Sequence, residues 1–281
     1  METSEEQIQT GDAKTQAGQE NVVEIEHLKK AFDKHLVLQD VNLHLLKGEN
    51  LVVLGKSGTG KSVLIKCLVK LIEADEGSIK VLGKDLSELK AKELDELRKN
   101  VGFLFQSAAL YDSMTVRENL EFPLRRNKSV SASEKETLVK EALENVGLAE
   151  AIDKMPVELS GGMRKRIGLA RTLILKPAIM LYDEPTTGLD PITSREISEL
   201  ILKVQKKYQT ASIIITHDIE CAKITANRIV VLKDGKCAAE GTFEELSKSE
   251  DPWIRSFFEP DGAAGKQQQE ETQTKSLKSK S

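Results

Sequence analysis

A glycine-rich segment constrains the fold more than any other feature of this sequence. It fills every defined position of a phosphate-binding P-loop and reads Gly55-Lys56-Ser57-Gly58-Thr59-Gly60-Lys61-Ser62. The glycines let backbone N–H groups point at phosphate oxygens, while the second lysine reaches the β- and γ-phosphates and the last hydroxyl ligates Mg²⁺. An apolar run from Leu51 to Leu54 precedes the loop, and Val63 to Val69 has the composition of the following helix. We therefore expect an α/β protein that binds a nucleoside triphosphate.

Length and composition limit the classes of protein to which the chain can belong. Its 281 residues suffice for one large α/β domain or two small ones, and 39% hydrophobic and 31% charged residues fit a globular protein. The formal net charge of -4 argues against a nucleic-acid-binding face. No apolar run reaches the length of a membrane span, and Met1 to Gln19 does not have the pattern of a signal peptide. Three scattered cysteines indicate reduced thiols rather than disulfides or a zinc site.

Hydrophobic periodicity places further strands and helices around the P-loop. Strands are expected at Val22 to Ile25, Val37 to Leu43, Val101 to Phe105, Ile179 to Tyr182 and Ser212 to Thr216. Helices are expected at Leu86 to Asn100, Val130 to Leu148 and Gly162 to Leu175, of which the last two resemble a helical insert. The segment from Ile229 to Ala238 predicts a hairpin closed at Asp234-Gly235. We expect disordered tails at 1–20 and 261–281, because both are polar and lack apolar periodicity.

Two short patterns outside the P-loop carry the chemistry. Asp183 ends an apolar strand, which puts its carboxylate beside the P-loop, where it can hold Mg²⁺ through water, and Glu184 is then placed to polarise an attacking water. Ser160 can cap a helix whose N-terminus is left open to an anion by Gly161 and Gly162. Acidic pairs at strand ends are often solvated turns, and many loops contain Ser-Gly-Gly. Their order relative to the P-loop is what makes both patterns specific.

The order and spacing of these motifs resemble those of ABC-transporter ATPases over roughly Val22 to Gly241. The resemblance rests on the P-loop, Gln106, Leu159-Ser160-Gly161-Gly162, Asp183-Glu184, Gly188-Leu189-Asp190 and His217. It implies an α/β P-loop NTPase cassette at 21–250, in which a mixed sheet core carries an antiparallel β part and a helical subdomain at about 107–175. It also implies ATP and Mg²⁺ as cofactors and a second copy of the chain as partner. Two cassettes would then sandwich two nucleotides.

The resemblance further implies roles for individual residues. Nucleotide contacts are implied for Phe32, which resembles the aromatic that stacks on adenine, for Gly55 to Val63, for Ser160 to Gly162 across the dimer, and for Asp190. Mg²⁺ ligation is implied for Ser62, Gln106 and Asp183, and catalytic roles for Lys61, Gln106, the base Glu184 and the switch histidine His217. A core position for Phe32 and a structural role for His217 are the alternatives. His27, His35 and His44 match no motif and are expected to be ordinary surface or turn residues.

Local sequence narrows the resemblance to the ATPase subunits of Mla/Mce-type bacterial lipid transporters. The resemblance is carried by Phe103 to Val116, Met163, Asp190 to Thr193, Glu240 to Leu246 and Asp251 to Phe258. It implies an integral permease and an MCE-domain substrate-binding protein as partners, no nucleic acid, and a peripheral location on the cytoplasmic face of the bacterial inner membrane. Lys56 departs from the Pro or Asn that is usual there, and we expect its side chain to point away from the phosphates.

Other classes of ABC protein are alternatives to this assignment. A ribosome-acting protein would normally carry two cassettes and a basic linker, and a DNA-repair ATPase would insert a long coiled coil before Ser160, neither of which fits this sequence. The ATPase of a polar-solute or metal importer remains the main rival. A genome neighbourhood with a permease and a substrate-binding lipoprotein, rather than an MCE-domain protein, would favour that rival.

Two segments are candidates for protein contacts. A groove from Gln106 to Asn119 is expected to receive a helix of the permease. Its apolar surface is expected from Ala108, Leu110, Tyr111 and Met114, which could equally belong to the core. A docking segment is expected at 251–260, where Asp251 can cap a helix that starts with Pro252. Trp253 and Phe257 lie four residues apart and share one face of that helix. This face either packs on its own domain or docks on the second cassette.

Overall fold

The structure is a computed structural model that describes residues 20–126 and 130–259. Its strands are β1 (Asn21–Phe32), β2 (His35–Leu46), β3 (Asn50–Leu54), β4 (Glu76–Val81), β5 (Lys84–Asp85), β6 (Val101–Leu104), β7 (Ile179–Asp183), β8 (Ala211–Thr216), β9 (Arg228–Lys233) and β10 (Lys236–Gly241). Its helices are α1 (Lys61–Cys67), α2 (Ala91–Arg98), α3 (Val116–Glu121), α4 (Ala132–Asn145), α5 (Gly161–Leu173), α6 (Pro191–Tyr208), α7 (Ile219–Thr225), α8 (Phe243–Ser247) and α9 (Pro252–Arg255). Apart from Glu20, the predicted tails lie outside the described residues.

The strands form one mixed sheet with the order β5-β4-β1-β2-β10-β9-β3-β8-β7-β6. Strands β9, β3, β8, β7 and β6 are parallel neighbours, whereas β5, β4, β1 and β2 pair antiparallel. The two parts meet where β10 pairs with β2 at one register position, Lys236 opposite Asp40. The backbone N–H of Gln39 also donates to the Gly235 carbonyl at 2.9 Å. The parallel and antiparallel parts are therefore joined within the sheet by a narrow seam.

Both faces of the parallel strands are covered, which explains their almost continuous apolar sequence. In β3, Val52 and Leu54 face a cluster that includes the helices after β6, while Leu51 and Val53 face a second cluster with β1, β2 and α1. All four side chains are fully buried. Burial of such a side chain contributes roughly 1.5–3 kcal/mol, so the paired clusters hold the carboxyl ends of these strands rigidly.

The predicted strands and most predicted helices are confirmed, but one helix is much shorter than expected. The segment from Leu86 to Asn100 is helical only as α2, because the Asp85 carboxylate accepts the Ser87 N–H at 2.8 Å and so favours a turn. Glu93 then accepts the Lys90 N–H at 3.0 Å and sets the helix start. The hairpin turn is confirmed, because both central residues have positive φ, 47° at Asp234 and 71° at Gly235.

Three helices between β6 and β7 form what we call the helical region, which consists of α3, α4 and α5. Thr115, Ser131 and Ser160 cap these helices, each hydroxyl accepting a backbone N–H of the first turn. A Cβ atom added at Gly168 of α5 would lie 2.9 Å from the Ala108 Cβ, so the helix and the segment after β6 are in close contact. No helix in the described ranges is long and apolar enough to cross a membrane.

The C-terminal helix α9 has the predicted start and packs on its own domain. Asp251 caps it by accepting the Trp253 N–H at 2.8 Å, and Pro252 occupies the first turn. The Trp253 and Phe257 rings meet edge to face, with centroids 4.8 Å apart. Both rings pack against the large apolar cluster on one face of the sheet, and the buried Ile254 is part of that cluster. The structure therefore supports the first of the two sequence interpretations, and docking on a second cassette stays a prediction.

Candidate active site

A wide cavity of about 1480 Å³ opens at the carboxyl ends of β3, β7 and β8. Most predicted site residues line it, namely Gly55, Lys56, Ser57, Gly58, Gly60, Lys61, Ser62, Val63, Gln106, Glu184 and His217. Parallel strands end at the same edge of a sheet, and ligands of open α/β sheets bind at that edge. The three unassigned histidines lie in β1 and β2 and do not line the cavity.

Backbone geometry explains the glycines of the P-loop. Gly58 and Gly60 have φ values of 83° and 96°, which side-chain-bearing residues rarely adopt. A Cβ atom at Gly55 would lie 2.8 Å from the Leu232 carbonyl oxygen, so this glycine permits close approach of the loop to β9. The Thr59 hydroxyl donates to the Lys56 carbonyl at 2.9 Å and closes the loop. The Lys56 side chain is exposed.

Lys61 lies at the centre of the cavity wall. Its amine donates to the carbonyls of Gly55 at 2.6 Å and Lys56 at 3.0 Å. It also lies 3.8 Å from the Glu184 carboxylate. Burial lowers the pKa of the Lys61 ammonium, and the Glu184 and Asp183 carboxylates oppose that shift. The Lys61 side chain thus places its amine on the cavity wall, next to the glycines of the P-loop.

The Ser62 hydroxyl and the Asp183 carboxylate form the predicted metal-binding pair. The hydroxyl donates to Asp183 at 3.0 Å, which joins the first turn of α1 to the end of β7. Asp183 is buried, and both oxygens are ligands of the type that Mg²⁺ prefers. These two residues fit a magnesium site that keeps several waters and phosphate oxygens. Gln106, the third predicted ligand, is exposed on the rim of the same cavity.

Glu184 has an unusual backbone and a well-held side chain. Its φ of 51° lies in the left-handed region, and its N–H donates to the Ile215 carbonyl of β8 at 2.9 Å. The carboxylate lies 2.8 Å from Nδ1 of His217 and accepts the Thr187 hydroxyl at 3.2 Å. Strained backbone of this kind costs about 1–3 kcal/mol and persists only where its surroundings enforce it. The arrangement aims a carboxylate at the cavity.

Ser160, Gly161, Gly162 and Asp190 lie outside the cavity of their own chain. Ser160 and Gly161 are exposed. A Cβ atom at Gly162 would lie 2.5 Å from the Thr193 side chain, so the start of α5 packs directly on the start of α6. Asp190 caps α6 by accepting the N–H groups of Ile192 and Thr193 at 3.1 and 3.0 Å. Ser160, Gly161 and Asp190 are therefore exposed away from that cavity, whereas Gly162 is buried.

Phe32 is 43% exposed at the end of β1, so the core position considered above is wrong. The Lys30 amine lies 5.4 Å from the Phe32 ring centroid and forms an ion pair with Asp75 at 2.6 Å. Asp75 also accepts the Ala31 N–H at 2.7 Å, and these hydrogen bonds to Lys30 and Ala31 lower its pKa. The ring is thus an exposed apolar platform held by its neighbours.

The groove prediction needs one correction. Ala108 is buried against Gly168 of α5 and belongs to the core rather than to an exposed surface. The exposed apolar surface of this segment comes from Tyr111, whose ring lies 4.6 Å from that of Phe122. Asn119 is buried and its side chain binds the backbone of Tyr111, Met114 and Thr115, which fixes the shape of the segment.

Several residues of the site were not predicted. The Thr186 hydroxyl donates to Asp218 at 2.8 Å and so joins the end of β7 to the residue after His217. Val37 also lines the cavity, as do Phe257 and Phe258 of the C-terminal segment. The buried Lys165 of α5 approaches the site from the helical region. The adjacent pair His217-Asp218 was a usable sequence signal, whereas the other contacts arise from tertiary packing.

Sequence comparison gives consistent relatives. The sequence model of the ABC transporter family matches residues 38–187. The chain is 41% identical over 236 residues to the probable ribonucleotide transport ATP-binding protein mkl of Mycobacterium leprae, covering 84% of this chain and 68% of that protein. It is 40% identical to the methionine import ATP-binding protein MetN of Campylobacter jejuni, covering 84% and 75%. It is 36% identical to the intermembrane phospholipid transport system ATP-binding protein MlaF of Haemophilus influenzae, covering 86% and 93%.

Solved structures resemble the fold closely. A dimeric ATP-binding cassette in a post-hydrolysis state, bound to ADP and Pi, superposes with a TM-score of 0.72 at 31% identity, covering 78% of this chain and 98% of that one. The protein cbiO1 of Clostridium perfringens, part of the ABC transporter complex cbiONQ, gives a TM-score of 0.75 at 28% identity, covering 84% and 94%.

Proposed function

The chain belongs to the ABC transporter family as an ATPase subunit, and on that premise we propose that it drives phospholipid transport in the bacterial envelope. Its α/β cassette fold is confirmed by the solved structures. The proposal for the chemistry rests on one observation above all. Lys61, Ser62 and the pair of Glu184 and His217 line one cavity, and the Ser62 hydroxyl there donates to the buried Asp183 carboxylate.

Nucleotide binding is proposed to exchange the internal partners of Lys61 for phosphate. The ammonium donates to two P-loop carbonyls, and phosphate oxygens are stronger acceptors for a buried cation. Backbone N–H groups of the loop then bind the remaining oxygens. Ser62, Asp183 and Gln106 are proposed to hold Mg²⁺. Bound there, the ion supplies a Lewis acid that neutralises charge on the transferred phosphoryl group.

Hydrolysis is proposed to follow from positioning and charge. Phosphoryl transfer to water needs an oriented nucleophile and neutralised oxygens more than covalent help. Glu184 accepts a proton from the attacking water, and His217 holds its carboxylate while facing the γ-phosphate. Lys61 and the P-loop amides balance the charge that develops. The exposed Phe32 ring is proposed to carry the adenine, with Lys30 and Asp75 fixing its platform.

A second copy of the chain is proposed to complete the site. Ser160, Gly161 and Asp190 do not line their own cavity, although an open helix N-terminus favours an anion. If α5 of one cassette closes over the ATP of another, closure depends on the bound triphosphate and is lost after hydrolysis. That difference in affinity converts nucleotide state into movement.

The lipid substrate is the finer part of the proposal. The Haemophilus protein, named for intermembrane phospholipid transport, matches this chain over 93% of its own length. We propose an integral permease that docks near Tyr111 and Phe122, an MCE-domain partner, and a peripheral position on the cytoplasmic face of the inner membrane. The methionine and ribonucleotide transport proteins are 40% and 41% identical, which keeps a polar-solute importer as the second candidate.

Purification of the native complex separates the two candidates. The full chain carries an affinity tag and is extracted from its own membranes, and the copurified subunits and lipids are identified by mass spectrometry. We expect a permease, an MCE-domain protein and enriched phospholipid. Copurification of a solute-binding lipoprotein without an MCE-domain protein would support the importer instead. A Lys61→Ala variant serves as a control for whether assembly needs nucleotide.

A further inference from the structure

Lys165 of α5 is a buried lysine that lies between the helical region and the catalytic strand end. Lys165 is only 5% exposed to solvent. The amine donates to the Gln106 carbonyl at 2.5 Å and to the Glu184 carbonyl at 3.1 Å. A buried ammonium is costly unless its protons are bound, so such a group requires a reason. Here one side chain joins three elements, namely α5, the turn after β6 and the end of β7.

Other contacts make α5 and the turn after β6 a single unit. Gly168 packs against Ala108, and Arg171 donates to the carbonyls of Ala108 and Ala109 at 2.8 and 2.7 Å. Ala108 and Ala109 both have positive φ, so this turn holds its shape only under such restraint. Lys165 adds a bond from this unit to the backbone of Glu184. The helical region is thereby connected directly to the proposed base.

The Glu184 backbone is sensitive to that bond. Its left-handed conformation is held by its N–H on the Ile215 carbonyl, and its own carbonyl accepts both Lys165 and the Thr187 N–H, the latter at 3.3 Å. A small rotation of α5 would lengthen the bond from Lys165. Because φ and ψ of one residue set the direction of its side chain, the Glu184 carboxylate would then turn relative to the cavity.

We infer that Lys165 is a positioning residue for ATP hydrolysis, which makes the aim of the Glu184 carboxylate depend on where α5 lies. The inference rests on the proposed catalytic role of Glu184. Lys165 does not line the nucleotide cavity, so its effect is on turnover rather than on nucleotide affinity. A rotation of the helical region would therefore change the length of this bond and the direction of the Glu184 carboxylate.

Kinetics of the purified full-length chain test the inference. Lys165→Met keeps the length and the apolar stem but removes the donor, while Lys165→Arg keeps donors and charge. In the Met variant we expect kcat to fall about 10- to 100-fold, as for other small misplacements of catalytic groups, with the ATP dissociation constant within about threefold of wild type. In the Arg variant we expect at least part of the lost kcat to return. Lys203→Met, at an exposed lysine of α6, is the matched control.

Each outcome has a defined meaning. An unchanged kcat in Lys165→Met, or equal losses in the Met and Arg variants, overturns the inference and leaves a packing role. Circular dichroism shows whether the Met variant folds. If it does not, Lys165→Gln, which keeps an N–H donor, replaces it, and its kcat is compared with that of Lys165→Arg. Glu184→Gln is assayed in parallel. If that variant turns over normally, the proposed catalytic role fails, whereas loss there with normal turnover in Lys165→Met refutes the Lys165 inference alone.

Discussion

Nδ1 of His217 lies 2.8 Å from the Glu184 carboxylate, and this contact places a proton on Nδ1. An ionised carboxylate only accepts hydrogen bonds, so Nδ1 carries the proton. The other ring nitrogen, Nε2, does not take part in this contact and can form a hydrogen bond with another group. The contact also fixes the direction of the carboxylate, which is what a base for water activation needs.

The first prediction is that Glu184→Gln keeps ATP binding and loses hydrolysis. The amide oxygen can still accept the His217 proton, so geometry is kept while basicity is lost. Loss of a general base costs roughly 10²–10⁴-fold in rate. Phosphate release and nucleotide binding are measured side by side, with Glu199→Gln on the exposed face of α6 as control. Turnover near the wild-type rate would rule out the assignment of Glu184 as base.

Phe32→Ala is expected to weaken ATP binding without changing the fold. Removing an aromatic ring that stacks on a nucleotide base costs about 1–3 kcal/mol, which corresponds to about 5- to 150-fold in dissociation constant. Leu36→Ala is the matched control, because Leu36 is equally exposed, at 44%, in the strand that pairs with β1. Equilibrium binding of a fluorescent ATP analogue gives both values. If the two substitutions change the dissociation constant equally, Phe32 does not stack on the adenine.

A photocrosslinking residue at Tyr111 is expected to capture an integral membrane protein. Tyr111 and Phe122 form an exposed aromatic pair whose shape is fixed by the buried Asn119. The same residue placed at Leu71, which is exposed and apolar but follows α1, should give no membrane crosslink. Crosslinks are identified by mass spectrometry from native membranes. Capture of soluble proteins alone at Tyr111 would contradict permease docking at this surface.

Stability should rise with pH above about 8 because of Lys165. Burial lowers the pKa of its ammonium from 10.5 to about 8, with Asp183 and Glu184 acting in the opposite direction. Between these two values the unfolded chain binds more protons than the folded chain, so raising the pH favours folding, by up to about 1.4 kcal/mol per unit. Below about pH 8 the cost of the buried charge is constant. The free energy of unfolding, measured with urea at several pH values in this range, should rise less steeply with pH in Lys165→Met than in the wild type. An identical dependence on pH in the two proteins would refute the prediction.

Ile254→Ala is expected to lower the stability of the monomer. The side chain is 2% exposed in α9, and truncation of such a residue costs about 2–5 kcal/mol. Glu250→Ala is the control, since Glu250 is exposed just before this helix and surface substitutions change stability little. Urea unfolding measures stability, and light scattering measures association. Weaker association at unchanged stability would instead support docking of this segment on a second copy.

Local patterns predicted most of the strands that build the site. Strands β7 and β8 are buried on both faces, so their sequences are mostly apolar and their ends could be recognised. The convergence of Lys61 and Glu184 followed from the rule that parallel strands end at one edge. The turn at Asp234-Gly235 was equally clear, because its positive φ values select such residues.

What could not be predicted depends on contacts between distant residues. The sequence left open whether Ala108 lies on the surface or in the core, because the contact with Gly168 that buries it cannot be inferred from neighbouring residues. Lys165 lies in a helix rich in basic residues, and spacing alone does not tell which of them points inward. The helix predicted from Leu86 begins only at Ala91, because the Asp85 carboxylate accepts the Ser87 N–H and so competes with the helical backbone.

The narrow seam between β2 and β10 affects which part of the cassette unfolds locally first. Phe32, which is proposed to stack on the adenine, lies in the antiparallel part of the sheet. Lys61 and Ser62 follow a strand of the parallel part. A bound nucleotide would therefore act as a tie across the joint. Its release would loosen the β1–β2 hairpin before the parallel core, so hydrogen exchange in that hairpin should report nucleotide occupancy more sensitively than global melting does.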